Sequence, residues 1–241
     1  MSLIINGDDY GLRESCSLAI AEAMGEGLIT HTTMMSTGEY FDEAIRLAYD
    51  SGFTDKIGVH LNLTEGSPLT DIMRSTPAFV RDGLFHKGYL KNPRELTDSE
   101  QTAVKAEFSA QIEMIKSKGI PVFHADSHHN IHLYKPVTPL AAEVCKDYNI
   151  KRIRINRTFS TPERPIITGL TDNSRWIELG FETTSYFGRM SDLAQVIHPD
   201  DTEIMVHPDY DRNGVLIDRR GVADGYPFGD RLTDIKALFK A

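Results

Sequence analysis

Apolar residues along this chain alternate between two spacings. Short runs such as Leu3-Ile4-Ile5 read as buried strands, and longer stretches with apolar positions three or four residues apart read as amphipathic helices. A first strand is expected over residues 3–6, then a helix over 14–24 carrying Leu18, Ala19, Ile20 and Ala23 and closed by Gly25 and Gly27. Strands at 32–36 and 57–63 flank a helix over 40–49 whose Phe41, Ala44, Ile45 and Ala48 share a face. The pattern breaks between 64 and 96, where Pro, Gly, Asp and aromatic residues make a stretch too long for an ordinary connection and suited to shape a substrate cleft. Val104, Phe108, Ile112 and Ile115 restore the helical period over 99–118, and Gly119 and Pro121 end it. A strand at 122–126, a helix near 137–148, a strand at 152–155, a second irregular stretch over 158–175 and a last strand at 203–206 complete the pattern.

Repeated strand-helix units with polar clusters at the strand ends imply a parallel α/β sheet, either closed as a barrel or left open. No internal repeat or hinge-like linker interrupts the chain, so residues 1–241 are expected to form a single domain.

Composition narrows the partners more than the chemistry. The 241 residues are 40% hydrophobic and 25% charged, ordinary for a globular protein. A net charge of -9 argues against nucleic acid and anionic membranes, both of which need a basic footprint. A neutral or cationic small substrate fits better. Cys16 and Cys145 sit in helical segments without a metal-type spacing and read as small buried residues. The opening residues lack a basic segment followed by an apolar run, and no run approaches the ~18 residues of a membrane span. A cytoplasmic enzyme is therefore expected.

The chemistry collects at strand ends. The first strand leads into Asp8 and Asp9, whose adjacent charges are most easily tolerated beside a cation. The third carries His60, the strand at 122–126 leads into His124, Asp126, His128, His129 and His132, and the last ends in His207. Each has a plainer reading: a turn with a helix N-cap for the aspartates, a satisfied buried histidine for His60, a hydrogen-bonding residue for His128, and an ordinary strand-end residue for His207. Their shared placement at one end of one sheet favours a site, because active sites in parallel α/β folds assemble at the C-terminal ends of strands. One aspartate and two histidines form a facial set that leaves room for water and substrate, and ligand type alone leaves Zn, Mn, Fe, Ni and Mg open.

Four segments carry a resemblance. Asn6-Gly7-Asp8-Asp9-Tyr10-Gly11, Gly58-Val59-His60-Leu61-Asn62-Leu63-Thr64-Glu65-Gly66, Asp126-Ser127-His128-His129-Asn130-Ile131-His132 and Val206-His207-Pro208 resemble, in order, the signature segments of the YdjC-like carbohydrate deacetylases. The resemblance spans nearly the whole chain. It implies a seven- or eight-stranded (β/α) barrel-like fold distantly related to NodB-type polysaccharide deacetylases. It also implies one divalent metal ion, Mg by preference and Zn, Mn, Co or Ni as alternatives, held by Asp9, His60 and His128. Asp8 would be the general base and His207 the general acid, with a homodimer as the family's habit. Gly7, Tyr10 and Asn130 depart from the family's usual Ala, Phe and third consecutive His; the last leaves open whether position 130 contacts substrate.

The chemistry this resemblance implies is hydrolysis of an acetamide on an N-acetylated sugar or short chitooligosaccharide, with metal-bound water attacking the amide and His207 protonating the amine. Arg154 could hold Asp8 ionised, contact substrate, or form a structural ion pair; His132 and Asp126 are candidates for substrate contact or support. Phe79, Phe85, Tyr89 and Trp176 could serve as aromatic platforms for a sugar or as packing anchors. The alternatives are a catalytically silent sugar- or metal-binding protein and a metal-dependent hydrolase of another bond such as a phosphoester. No Gly-rich phosphate loop or arginine cluster near the motifs supports the phosphoester reading.

Overall fold

A computed structural model describes residues 3–159, 170–195 and 201–220. Seven strands form one parallel sheet: β1 (Ile4–Tyr10), β2 (His31–Met34), β3 (Ile57–Leu61), β6 (His124–Ser127), β7 (Arg152–Ile153), β8 (Tyr186–Arg189) and β9 (Thr202–Val206). They lie in the order β7-β6-β3-β2-β1-β9-β8, and every neighbouring pair is parallel. Helices α1 (Glu14–Gly25), α2 (Phe41–Ser51), α5 (Asp98–Ser117), α6 (Thr138–Asp147) and α7 (Ser174–Glu178) connect them. β1 and β3 are buried along their whole length, as a parallel sheet covered by helices requires. No helix among the described residues is long and apolar enough to cross a membrane.

The sheet is strongly curled. Laid flat, β7 and β1 would stand about 19 Å apart, four strand spacings. Instead Arg154, just past β7, bonds Asp8 of β1 at 2.7 Å and Glu203 of β9 at 2.6 Å, and its guanidinium lies 4.9 Å from the ring centroid of Phe187 on β8. The two edge strands are bridged by irregular bonds, Ile153 N–H to the Glu182 carbonyl at 3.1 Å and Thr158 N–H to the Phe187 carbonyl at 2.9 Å. Among the described residues the result is a curled, half-barrel sheet of seven strands, the lower of the two expected numbers.

Local sequence explains the elements. Thr97 and Glu100 form a reciprocal capping box at the start of α5, which is worth about 1 kcal/mol. Val104, Phe108, Ile112 and Ile115 then seat α5 in the core, where Phe108→Ala would cost about 3–5 kcal/mol. Gly52 ends α2 in the left-handed region, φ 71°. Of the apolar set on α1, Leu18 faces solvent while Ala19, Ile20 and Ala23 are buried.

Three expectations about elements are corrected. β1 runs four residues further than expected and carries both aspartates inside it. β8 was not anticipated, because Tyr186-Phe187-Gly188-Arg189 is short, lacks alternation and has a central glycine; α7 is likewise too short to show a period. The long excursion between β3 and α5 holds short elements: α3 (Asp71–Arg74), a hairpin of β4 (Val80–Arg81) and β5 (Leu84–Phe85), and α4 (Gly88–Lys91). Buried Glu107 on α5 clamps this excursion by accepting from the backbone of Leu69 and Thr70 and from the Thr70 hydroxyl. Phe79, Phe85, Tyr89 and Trp176 are buried in the core, which makes them packing anchors. Of the irregular stretch at 158–175, residues 160–169 lie outside the described residues.

Candidate active site

Neighbouring strand residues point to opposite faces, so two consecutive aspartates should not share one side. Here they do, because the β1–β2 register shifts between Gly7 and Tyr10 and Asp9 adopts φ 74°. Both carboxylates turn into the curled sheet. Asp9 Oδ1 lies 3.2 Å from His60 Nε2 and 2.8 Å from His128 Nδ1. The two rings arrive from different elements, His60 from within β3 and His128 from the turn directly after β6.

His60 is held from behind. Its Cα is in register with that of Asp126, and Nδ1–H donates to Asp126 Oδ1 at 2.6 Å. Thr33 on β2 completes the clasp, its hydroxyl 3.0 Å from Asp126 Oδ2. Burial lowers the pKa of His60, but Asp126, Asp9 and Asp8 outweigh it and bring it up to about 10. Below His60, Gly58 leaves space for the His124 ring; a Cβ there would meet that ring at 2.5 Å. His124 Nε2 lies 3.3 Å from Asn6 Oδ1, and the Asn6 amide donates to Asp8 at 2.8 Å.

Asp8 is gripped by Arg154 through two parallel bonds of 2.7 Å. The same guanidinium stands 2.7 Å from Asp126 and 2.6 Å from Glu203. Burial raises the Asp8 pKa, and Arg154 reverses this, holding it at about 2. Arg154 is itself fully buried, with its guanidinium on Asp8, Asp126 and Glu203. His207 follows β9, where Gly7 pairs with Val206, so Asp8 and His207 stand level on adjacent strands. Burial pulls the His207 pKa down to about 4 against the opposing pull of Asp8 and Asp9.

His128 has a more open partner. Its Nε2–H donates to Glu65 Oε2 at 3.1 Å, and this bond draws the Glu65 pKa down to about 2. Glu65 is 39% exposed and 3.8 Å from Arg13. At the rim, Arg219 reaches Asp9 Oδ2 at 3.2 Å. Burial raises the Asp9 pKa, but His128 and His60 overcome it and take it well below the ordinary range.

The donor set fits a divalent ion. Atoms of Asp9, His60 and His128 lie within 4.8 Å of one another, and each imidazole has a carboxylate on its far nitrogen, which orients its near nitrogen toward Asp9; an ion bound there would displace the proton that His60 carries without it. Asp8, Asp9, Asp126 and Glu203 are all buried around this space, which favours a cation within it.

A family model described as YdjC-like protein matches residues 2–239. The chain belongs to this family. It is 28% identical to the chitooligosaccharide deacetylase of Proteus mirabilis (strain HI4320), over 98% of this chain and 89% of that one. It is 30% identical to a carbohydrate deacetylase of Brevibacillus brevis, over 90% of this chain and 84% of the relative. A crystal structure described as that of a cellobiose-phosphate cleavage protein from Enterococcus faecalis V583 superposes with a TM-score of 0.73 at 25% identity, covering 99% of this chain and 93% of that one.

In this YdjC-like chain Asp8, Asp9, His60, Asp126, His128, Arg154 and His207 gather at one end of the sheet. His132 is set apart. Its Nδ1 accepts from the Ser127 hydroxyl and its Nε2–H donates to the Arg154 carbonyl at 3.0 Å, so it braces the backbone of Arg154. Sequence reasoning passed over Glu203, Thr33, Arg219 and the contact of Glu65. Glu203 had a signal, since it lies four residues before His207 on one strand and so on the same face. Thr33 had one too, a polar residue in a central buried strand. Arg219 had none.

Proposed function

We propose that this chain is a metal-dependent carbohydrate N-deacetylase, removing the acetyl group from N-acetylated sugars or short chitooligosaccharides. The observation that carries this reading is the convergence of Asp9, His60 and His128 beside a level pair of unlike titrating groups, Asp8 and His207. The names of its relatives support the substrate class. Both cysteines are free and buried, in keeping with action in the reducing cytoplasm.

Asp9, His60 and His128 would hold one divalent ion, which would supply Lewis-acid polarisation of the amide carbonyl and a water of lowered pKa. Mg is the ion the family resemblance implies, and two imidazoles suit Zn, Mn, Co or Ni as well. Arg154 keeps Asp8 ionised at neutral pH, so Asp8 can accept the proton of the attacking water. His207 protonates the departing nitrogen. Because burial keeps it neutral at rest, the proton it passes on is the one Asp8 has taken from water, handed from the weaker base Asp8 to His207 beside it. The water oxygen joins the acyl carbon as the C–N bond breaks, and a water proton ends on the amine.

Acetate release from N-acetylglucosamine, its 6-phosphate and N,N'-diacetylchitobiose, measured on metal-stripped protein with each ion added back, tests the reading. Metal-restored turnover that falls at least 100-fold in Asp8→Asn with metal content unchanged is expected. Stoichiometric metal binding without acetate release from any of the three would overturn it.

A further inference from the structure

Behind Asp8 lies a buried polar chain that the mechanism above leaves unused. Asn6 on β1 spends both protons of its side-chain amide, one on Asp8 Oδ1 at 2.8 Å and one on Thr33 Oγ1 at 3.0 Å. Thr33 can accept because its own hydroxyl proton goes to Asp126 Oδ2 at 3.0 Å. Turned over, the amide would set its carbonyl oxygen against the Asp8 carboxylate, so its orientation is fixed.

That orientation leaves Asn6 Oδ1 as a buried acceptor, and His124 Nε2 reaches it at 3.3 Å. Asn6 and His124 stand on β1 and β6, three strand spacings apart, and meet across the curled interior, where Gly58 on β3 leaves the ring its space. An amide oxygen only accepts, so His124 carries its ring proton on Nε2 and keeps Nδ1 as a bare acceptor. Nδ1 is buried with no hydrogen-bond partner among the described residues. Burial, with His31, Arg154 and Arg152 adding to it, holds the His124 pKa well below the ordinary histidine range, so the ring stays neutral. The ring borders a cavity of about 10 Å³ that it shares with His31, Arg152 and Glu203, room for one water donating to Nδ1.

This chain acts unequally on the two oxygens of Asp8. Oδ1 accepts from Asn6 and from Arg154 Nη2 at 2.7 Å, which fills both of its lone pairs. Oδ2 accepts from Arg154 Nη1 at 2.7 Å, a donor it shares with Asp126, and among the described residues its second lone pair stays open.

We infer that His124 is a positioning residue that acts through Asn6, holding the amide that fills Asp8 Oδ1 and so presenting Oδ2 to the proton of the attacking water, a role that rests on the reading of Asp8 as general base. The test compares His124→Phe, which keeps a ring but has no donor, with His124→Gln, whose amide N–H can take the place of Nε2–H. In acetate release by the metal-loaded protein, His124→Phe is expected to lower kcat about tenfold with KM and ion affinity unchanged, and His124→Gln to stay within about twofold. Added to Asn6→Ala, His124→Phe should cost nothing more, because the two changes break one chain. Equal losses in the two His124 variants, a loss confined to KM, or losses that multiply with Asn6→Ala would overturn the role. Nitrogen NMR of the His124 ring in the unaltered protein reads the same chain without turnover: a proton on Nε2 at neutral pH is expected, and a proton on Nδ1 would overturn it. A proton on Nε2 with no acetate release from any of the three sugars would end the deacetylase reading and leave the chain from His124 to Asp8 standing. Acetate release with the proton on Nδ1 would do the reverse.

Discussion

The two imidazoles that face Asp9 are held by the same device in opposite surroundings. His60 donates to Asp126 at 2.6 Å inside a sealed network with Thr33, Arg154, Asp8 and Glu203. His128 donates to Glu65 at 3.1 Å, and that carboxylate is 39% exposed beside the similarly exposed Arg13. A carboxylate behind an imidazole fixes the ring wherever it stands. What differs is the cost of losing it, since a buried network broken at one point strands charges away from water, whereas solvent replaces an exposed partner. The inner half is therefore framework and catalytic apparatus at once, and the outer half is adjustable.

The strongest way to break this contrast is Arg154→Met. It would leave Asp8, Asp126 and Glu203 without their shared cation and is expected to destabilise the protein by about 3–5 kcal/mol, read as a lower urea midpoint. The equivalent removal on the outer side, Arg13→Met, is expected to cost less than about 1 kcal/mol. Equal losses would mean that the inner network is no more demanding than the surface.

Metal affinity sharpens the same point. Asp126→Asn is expected to weaken ion binding by about 10–100-fold. Glu65→Gln should weaken it less than about tenfold, with the difference shrinking as salt is raised, because the exposed carboxylate is screened. Titration calorimetry at low and high salt separates the two.

A further expected effect is on acid stability. Burial brings the pKa of His132 down to about 4, below its unfolded value near 6.5. The folded state therefore favours neutral His132, and its contribution is present above pH 6.5 and lost as pH falls through about 4. His132→Gln should flatten the decline in urea midpoint across that window. An unchanged slope would remove His132 from the acid-sensitive part of the inner half.

Much of this arrangement was legible from the chain, for reasons that differ by residue. Short apolar runs mark β1, β2, β3, β6 and β9, and polar residues shared at one end of them mark the site, because Asp9 and His60, each of which has a plainer reading alone, fall at the same end of one sheet. The pairing of Asp8 with Arg154, one of three readings of Arg154 that the chain offers, joins residues 146 apart, and it is the tight curl of the sheet, which no local pattern encodes, that selects it. β8 has four residues and a central glycine, too little for a period. The shared facing of Asp8 and Asp9 arises from one register shift and one left-handed residue, and alternation alone would have sent them to opposite faces.

The most direct test of the account is X-ray absorption of the cobalt-loaded protein, which counts imidazole ligands on the ion. Two imidazoles are predicted for the unaltered chain, one for His128→Ala, and two at lower occupancy for Asp126→Asn. Fewer than two in the unaltered chain, or a count that His128→Ala leaves unchanged, would contradict a site shared between the inner and outer rings.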